Sequence, residues 1–148
     1  MEQKDNVMMR ALIQVSEHVV KKNGRNIFIN KKTGQMFPGK STRLVKAENH
    51  MIKELRNAWW MTFHSDKSPI NYPVNVMMRF HFNENDFFTK KKERSKRIPD
   101  LSNLYQLVED ALQKAGVLEN DYWIESHDGS KRLPTLDQNY LEIVITRV

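Results

Sequence analysis

The stretch from Val74 to Phe82, VNVMMRFHF, constrains the fold more than any other part of the chain. Its apolar positions recur at every second residue: Val74, Val76, Met78, Phe80 and Phe82. Since successive side chains of a strand point to opposite faces, this alternation predicts a β-strand with one buried face. Such a strand needs neighbouring strands and a second layer packed against its apolar side.

Two amphipathic patterns can supply that second layer. Across residues 42–63, with Ser41 or Thr42 as the N-cap, apolar residues recur at helical spacing and predict a long helix. A second helical pattern covers residues 101–115, and Gly116 follows where a helix-ending glycine is expected. The chain therefore alternates between strand and helix patterns.

Shorter strand patterns complete the expected fold. They fall at residues 10–20, 26–30, 35–37, 122–126 and 140–148. Residues 83–98 are predicted to form a loop, and a polar turn is predicted before residue 140. We expect one α+β domain over residues 1–148, with a mixed or antiparallel β-sheet and two main helices.

The composition excludes several classes of site. The chain contains no cysteine, which removes disulfides, thiolate metal sites and cysteine nucleophiles together. Any metal must then be bound by oxygen or imidazole ligands. No apolar run approaches the roughly 20 residues needed to cross a bilayer, and the N-terminal sequence lacks the layout of a secretion signal. We therefore expect a cytoplasmic protein with no membrane partner.

Positive charge is concentrated in residues 90–97, KKKERSKR, and the whole chain carries a formal net charge of +6. The basic side chains of this run are Lys90, Lys91, Lys92, Arg94, Lys96 and Arg97. A charge run of this kind is often only a solvated loop. The alternative is a surface that contacts nucleic-acid phosphates, which the net charge favours.

Other side chains also have a structural interpretation beside a functional one. Phe87 and Phe88 precede the lysines and suit either a wedge that unstacks bases or packing within the core or loop. Glu109 and Asp110 are predicted to be solvated helix charges. The histidines show no paired metal-ligand spacing, and we interpret them as structural or surface groups.

Two carboxylates stand at opposite ends of the second predicted helix. Asp100 opens the helix, and Asp121 follows its end. They meet only if the chain folds back, as it does when the strands before and after the helix are neighbours. Asp100 equally suits an N-cap, a role compatible with metal binding, and Asp121 equally suits a turn.

The stretch RIPDLSNLYQLVEDALQKAGVLEND carries a more specific pattern. A basic loop precedes Pro-Asp-Leu-x-Asn-Leu at the helix start, and Asp-Ala-Leu and Ala-Gly-x-x-x-x-Asp follow. This arrangement resembles the signature of the RusA family of Holliday junction resolvases. The other elements also occur in that family's order, so the resemblance covers most of the chain and implies a RusA-like fold.

The resemblance implies a metal site built from three aspartates. Asp100 matches the first and Asp121 the third, whereas Ser102 occupies the position of the second. The family also commonly has a lysine four residues after that second aspartate, and here the position is Gln106. The implied metal ligands in this chain are therefore Asp100 and Asp121.

The implied cofactor is Mg²⁺, with Mn²⁺ as a substitute, because a scissile phosphate is attacked readily only when a cation neutralises its charge. Mg²⁺ binds through one or two carboxylates together with waters and the phosphate, so two aspartates can suffice. Ser102 and Asn103 are assigned to the same catalytic site, and Asn120 is a further residue whose side-chain oxygen can assist in binding the metal. Glu119 and Glu125 are the acids nearest in sequence that can replace the missing carboxylate.

The resemblance implies a crossover junction endodeoxyribonuclease, which resolves four-way DNA in recombination and repair. It also implies a homodimer, since paired cuts across a symmetric junction need two sites related by a two-fold axis. The alternative is a protein that binds branched DNA but has lost cleavage through Ser102 and Gln106. RNA binding by the basic loop alone has less support, because no stacking platform is visible in the sequence.

Overall fold

The structure is a computed structural model, and it describes residues 6–15, 25–29, 36–40, 42–62 and 67–148. Strand β1 (Val7–Gln14) lies at one side of the main sheet and pairs antiparallel with the last strand of the chain. The strand predicted at residues 10–20 is thus found in part, and residues 16–20 lie outside the described residues.

A second, two-stranded sheet contains β2 (Arg25–Ile29) and β3 (Met36–Lys40), which pair antiparallel. The predicted strands at 26–30 and 35–37 are therefore confirmed at residues 26–29 and 36–37, and residues 30 and 35 lie outside the described residues. Strand β3 extends further than expected.

Strand β4 (Val74–Asn83) lies inside the main sheet, and its residues alternate between buried and half-buried along the whole strand. The alternation predicted for this segment is confirmed. Every buried position of β4 is apolar, from Val74 to Phe82. These side chains form the centre of the hydrophobic core, which is the strongest stabilising contribution to a domain of this size.

Helix α1 (Thr42–Trp60) contacts β1 and the long helix that comes later in the chain. It ends three residues before the predicted end at Phe63, a residue outside the described part. Helix α2 (Glu84–Phe87) is a single turn directly after β4. Helix α3 (Leu101–Lys114) is the second main helix, and it buries Leu104, Val108, Ala111 and Leu112.

The chain after α3 returns to β4. Gly116 adopts a φ of 77°, the left-handed conformation that commonly follows a helix end. A short parallel bridge then joins Leu118 to Ile70, and β5 (Ile124–Ser126) pairs parallel with the first residues of β4. The strand–helix–strand connection that the sequence required for a folded-back chain is therefore present.

Strand β6 (Lys131–Thr135) pairs parallel with the second half of β4, where the sequence predicted only a polar turn. Strand β7 (Tyr140–Arg147) pairs antiparallel with β4 on its other side and with β1. The sheet is mixed, and the predicted α+β class is confirmed. Within the part of the chain that the structure describes, no helix has the length and apolar character needed to cross a bilayer.

Candidate nucleic-acid interface and acidic site

The segment predicted as a loop between β4 and α3 contains an ordered turn. We call residues 88–94 the basic hairpin. Its ends form a bridge between Phe88 and Arg94, and the Thr89 N–H donates to the Glu93 carbonyl at 2.7 Å. The Lys92 N–H donates to the Thr89 carbonyl at 2.9 Å and closes the tip. The basic run is therefore held by backbone hydrogen bonds.

Lys92 has a left-handed backbone conformation, with a φ of 61°. Turns of this shape normally place glycine or asparagine there, because a Cβ atom makes the conformation unfavourable. Lys90, Lys91 and Lys92 are all exposed at the tip. The third consecutive lysine therefore has a strained backbone conformation. Strained backbone of this kind is found at functional sites.

Phe87 and Phe88 have different environments although they are adjacent. Phe87 is 1% exposed, and the Arg94 guanidinium stacks over its ring at 4.0 Å from the centroid. Phe87 is therefore core and cannot act as a wedge, so that half of the wedge hypothesis is wrong. Phe88 packs edge-on against Phe87 but remains 36% exposed. Arg94 anchors the hairpin through this cation–π contact.

The basic hairpin leads directly to Asp100. Lys96 and Arg97 are exposed, whereas Ile98 and Pro99 are buried and fix the chain just before α3. The Arg132 side chain on β6 donates to the Pro99 carbonyl at 3.1 Å and ties this connection to the sheet. All six basic side chains of the run and the start of α3 therefore lie at the C-terminal end of β4.

Asp100 is the N-cap of α3, and its Oδ1 accepts a hydrogen bond from the Asn103 N–H at 3.0 Å. The carboxylate is exposed, and Ser102 and Asn103 are exposed on the first helical turn beside it. The capping role considered from the sequence is therefore present. It also fixes the orientation of the carboxylate at the positive end of the helix dipole.

Asp121 lies at the other end of the helix, as the first residue of a 3₁₀ turn, Asp121–Trp123. The Glu119 N–H donates to the Ile70 carbonyl at 3.0 Å, and Ile124 is paired with Val74. Asp121 is therefore held near the N-terminal end of β4. It is exposed, as are Glu119, Asn120 and Glu125 around it.

Asp100 and Asp121 belong to opposite ends of α3 in the part of the chain that the structure describes. Helix α3 has 14 residues, which at ~1.5 Å per residue makes it about 21 Å long. Asp100 caps the first turn of this helix and Asp121 follows its last turn, whereas two ligands of one Mg²⁺ each lie ~2 Å from the ion. No group of three or more acidic or histidine side chains suited to a metal occurs among the described residues. Glu119 and Glu125 are close to Asp121 in sequence, and the replacement of the missing carboxylate by either of them stays a prediction.

Sequence reasoning missed a polar pair on the inner side of α3. The His127 Nε2 lies 2.9 Å from Glu109 Oε1, and its Nδ1 lies 2.9 Å from the Val76 carbonyl. Since a carbonyl only accepts, Nδ1 carries a proton. The His127 ring also stacks on Tyr105 at 4.1 Å. The prediction that Glu109 is a solvated helix charge is therefore wrong, and no spacing in the sequence signals a pair 18 positions apart.

Burial raises the pKa of Glu109, and the nearby Asp121 charge acts in the same direction, although the hydrogen bond from His127 opposes it. Folding therefore favours the protonated carboxyl. The contribution to stability is complete below the ordinary value of about 4.5 and is lost as the pH rises through the raised pKa. The pair thus makes the packing of α3 on the sheet sensitive to pH above that value.

Glu109→Gln is expected to flatten this part of the stability curve, because an amide does not titrate and can still donate to His127. The free energy of unfolding of the wild type and the variant should be measured by urea denaturation from about pH 4 to about pH 8. Asp110→Asn, an exposed neighbour, is the control. Parallel curves for the wild type and Glu109→Gln contradict the raised pKa.

Comparison with known families agrees with this arrangement of elements. The family model described as Endodeoxyribonuclease RusA matches residues 17–145, which is most of the chain. No curated protein matches the chain. The matched region contains the basic hairpin, Asp100, α3 and Asp121, so the resemblance inferred from their sequence pattern is confirmed at the level of the family.

Proposed function

Because the chain belongs to the RusA family of endodeoxyribonucleases, we propose that it is an Mg²⁺-dependent, structure-selective endonuclease that resolves four-way DNA junctions in recombination and repair. The observation that carries this proposal is the position of the basic hairpin at one end of β4. The hairpin exposes Lys90, Lys91 and Lys92, and the chain continues through the exposed Lys96 and Arg97 to Asp100. Phosphate-binding cations and a catalytic carboxylate thus occupy adjoining segments of one surface.

In this proposal, different residues bind the DNA and form the catalytic site. Lys90, Lys91 and Lys92 contact phosphates and position the DNA backbone without reading its sequence. The N-terminal end of α3 adds backbone N–H groups and a positive dipole, which favour a phosphate at the same place. Ser102 and Asn103, on the first turn of α3, supply neutral oxygen and amide groups beside Asp100.

The acidic site requires more than one chain. Oxygen ligands suit Mg²⁺, which supplies charge neutralisation at the phosphate when bound. In one chain, however, Asp100 caps the start of α3 and Asp121 follows its end. We infer that a two-fold homodimer places Asp100 of one copy beside Asp121 of the other. An isologous interface makes every such contact twice, and it gives the two symmetric sites that paired cuts require.

The alternative is a protein that binds branched DNA without cleaving it. Ser102 in place of an aspartate and Gln106 in place of a lysine favour this possibility, because both changes remove charge from the first two turns of α3. A synthetic four-way junction and a duplex of matched sequence separate the two functions. We expect nicking of the junction alone with Mg²⁺ or Mn²⁺, and none with EDTA or with Asp100→Asn. Tight junction binding with no nicking under any metal supports the alternative.

Ser102→Asp is expected to lower the Mg²⁺ concentration needed for half-maximal cleavage by about tenfold, because it adds an anionic oxygen close to Asp100 in sequence. The first turn of a helix tolerates an acid well, so the fold should be retained. Junction cleavage across a Mg²⁺ titration measures the change. Ser102→Asn, which adds similar volume without charge, is the control, and identical titrations for all three proteins contradict a role for this position.

A further inference from the structure

A cavity of about 330 Å³ opens between α2 and the basic hairpin, next to the start of α3. Its inner wall is apolar and contains Phe82 and Ile98, which are almost fully buried, together with the partly exposed ring of Phe88. Its polar groups include the amide of Asn85 and the carboxylate of Asp86 on α2 and the cations Lys90 and Arg97, so positive charges outnumber the one acid. The cavity therefore combines an aromatic and aliphatic wall with cations at its rim.

We propose that this cavity binds one unpaired nucleobase at the branch point of the DNA junction, an inference that rests on the proposed function. The volume is at the small end of the ~300–1,000 Å³ found for ligand pockets, which suits a single base. A base offers a flat face to Phe88 and polar edges to Asn85, while its flanking phosphates suit Lys90 and Arg97. A neutral apolar ligand gains nothing from those two cations.

The walls of the cavity are fixed before DNA binds. The Phe88 N–H donates to the Glu84 carbonyl at 3.0 Å, and the Ser95 N–H donates to the Phe87 carbonyl at 2.9 Å. The Arg97 N–H donates to the Ser95 hydroxyl at 3.2 Å. These bonds join α2, the basic hairpin and the chain that follows, so little order must be gained on binding and less affinity is lost to entropy.

The position of the cavity connects base binding with selectivity for branched DNA. Ile98 is two residues before Asp100, so a base held against it places its own phosphate near the start of α3. A base inside a duplex is held by its pair and by stacking on both sides, whereas a base at a branch point adjoins the point where the strands change partners, and the cost of extruding a base is least where it is held least. Junctions are thereby favoured over duplexes at the step that positions the phosphate.

Titration of two proteins with two DNA junctions tests the proposal. The wild type and Phe88→Ala are each titrated with a synthetic four-way junction and with the same junction carrying abasic nucleotides at the branch. Removing a stacking aromatic should weaken binding of the intact junction by about tenfold. The two proteins should bind the abasic junction equally, because it has no base to place in the cavity. Leu136→Ala, which truncates a side chain that is 81% exposed on another loop, should behave as the wild type with both junctions.

A second readout is the emission of 2-aminopurine placed at the branch, which should rise when the wild type unstacks that base and stay low with Phe88→Ala. An equal loss of affinity for both junctions, no loss for either, or unchanged emission with the wild type overturns the proposal. If Phe88→Ala does not fold, Phe88→Leu retains the packing volume without the aromatic face and takes its place. If the wild type binds junctions no better than duplexes, the proposed function is overturned as well. If the wild type cleaves junctions normally but binds the intact and the abasic junction equally, only the proposed base binding is overturned.

Discussion

Removing the three lysines at the tip of the basic hairpin is expected to weaken DNA binding on the order of 100-fold or more near 0.1 M salt, for junction and duplex alike. Each lysine that no longer neutralises a phosphate should reduce the salt slope by about 0.9, so Lys90→Ala, Lys91→Ala and Lys92→Gly together should reduce it by about 3. Glycine is chosen at position 92 because the residue there has a positive φ. Fluorescence titrations at several salt concentrations measure both quantities.

A charge-matched control separates local contacts from the overall charge of the protein. Lys46, Lys53 and Lys114 are exposed on the two long helices, and replacing them with alanine removes the same charge. Long-range attraction alone depends on net charge and would lower affinity equally in both triple variants. If both triple variants show the same small loss of DNA affinity, the basic hairpin is only a solvated loop.

The elements that could be predicted from the sequence are those whose burial follows a regular period. Strand β4 alternates strictly because one face is buried along its whole length, and α3 shows a helical period because its apolar stripe faces the core. Strand β6 was not predicted. Lys131–Thr135 has no buried residue, contains Pro134 and pairs with β4, so its strand conformation depends on a partner distant in sequence.

The candidate site could be predicted only where it is local in sequence. Asp100 was identified as an N-cap, since capping depends on the next three residues. The distance between Asp100 and Asp121 depends on the length and direction of α3, which the number of intervening residues does not determine. Phe87 and Phe88 are adjacent and are the same amino acid, so only tertiary packing decides which of the two side chains is buried.

Mixing Asp100→Asn with Asp121→Asn is expected to restore junction nicking, although each variant alone should be inactive. If each site takes Asp100 from one copy and Asp121 from the other, a mixed dimer has one site with both carboxylates and one with neither. Random exchange makes half of the dimers mixed, so about a quarter of the sites are intact. The product should be a nicked junction, because a single site cuts one strand only.

Mixing Asp100→Asn with Asp100→Ala is the matched control, since no dimer of these two variants contains an intact site. Subunit exchange can be verified by size-exclusion chromatography with one variant carrying a larger tag. Activity restored in the first mixture but not in the second locates the acidic site between two copies. An inactive first mixture with verified exchange means that each copy contributes its carboxylates separately. The two carboxylates of one copy then have to be brought together by the chain around α3 itself.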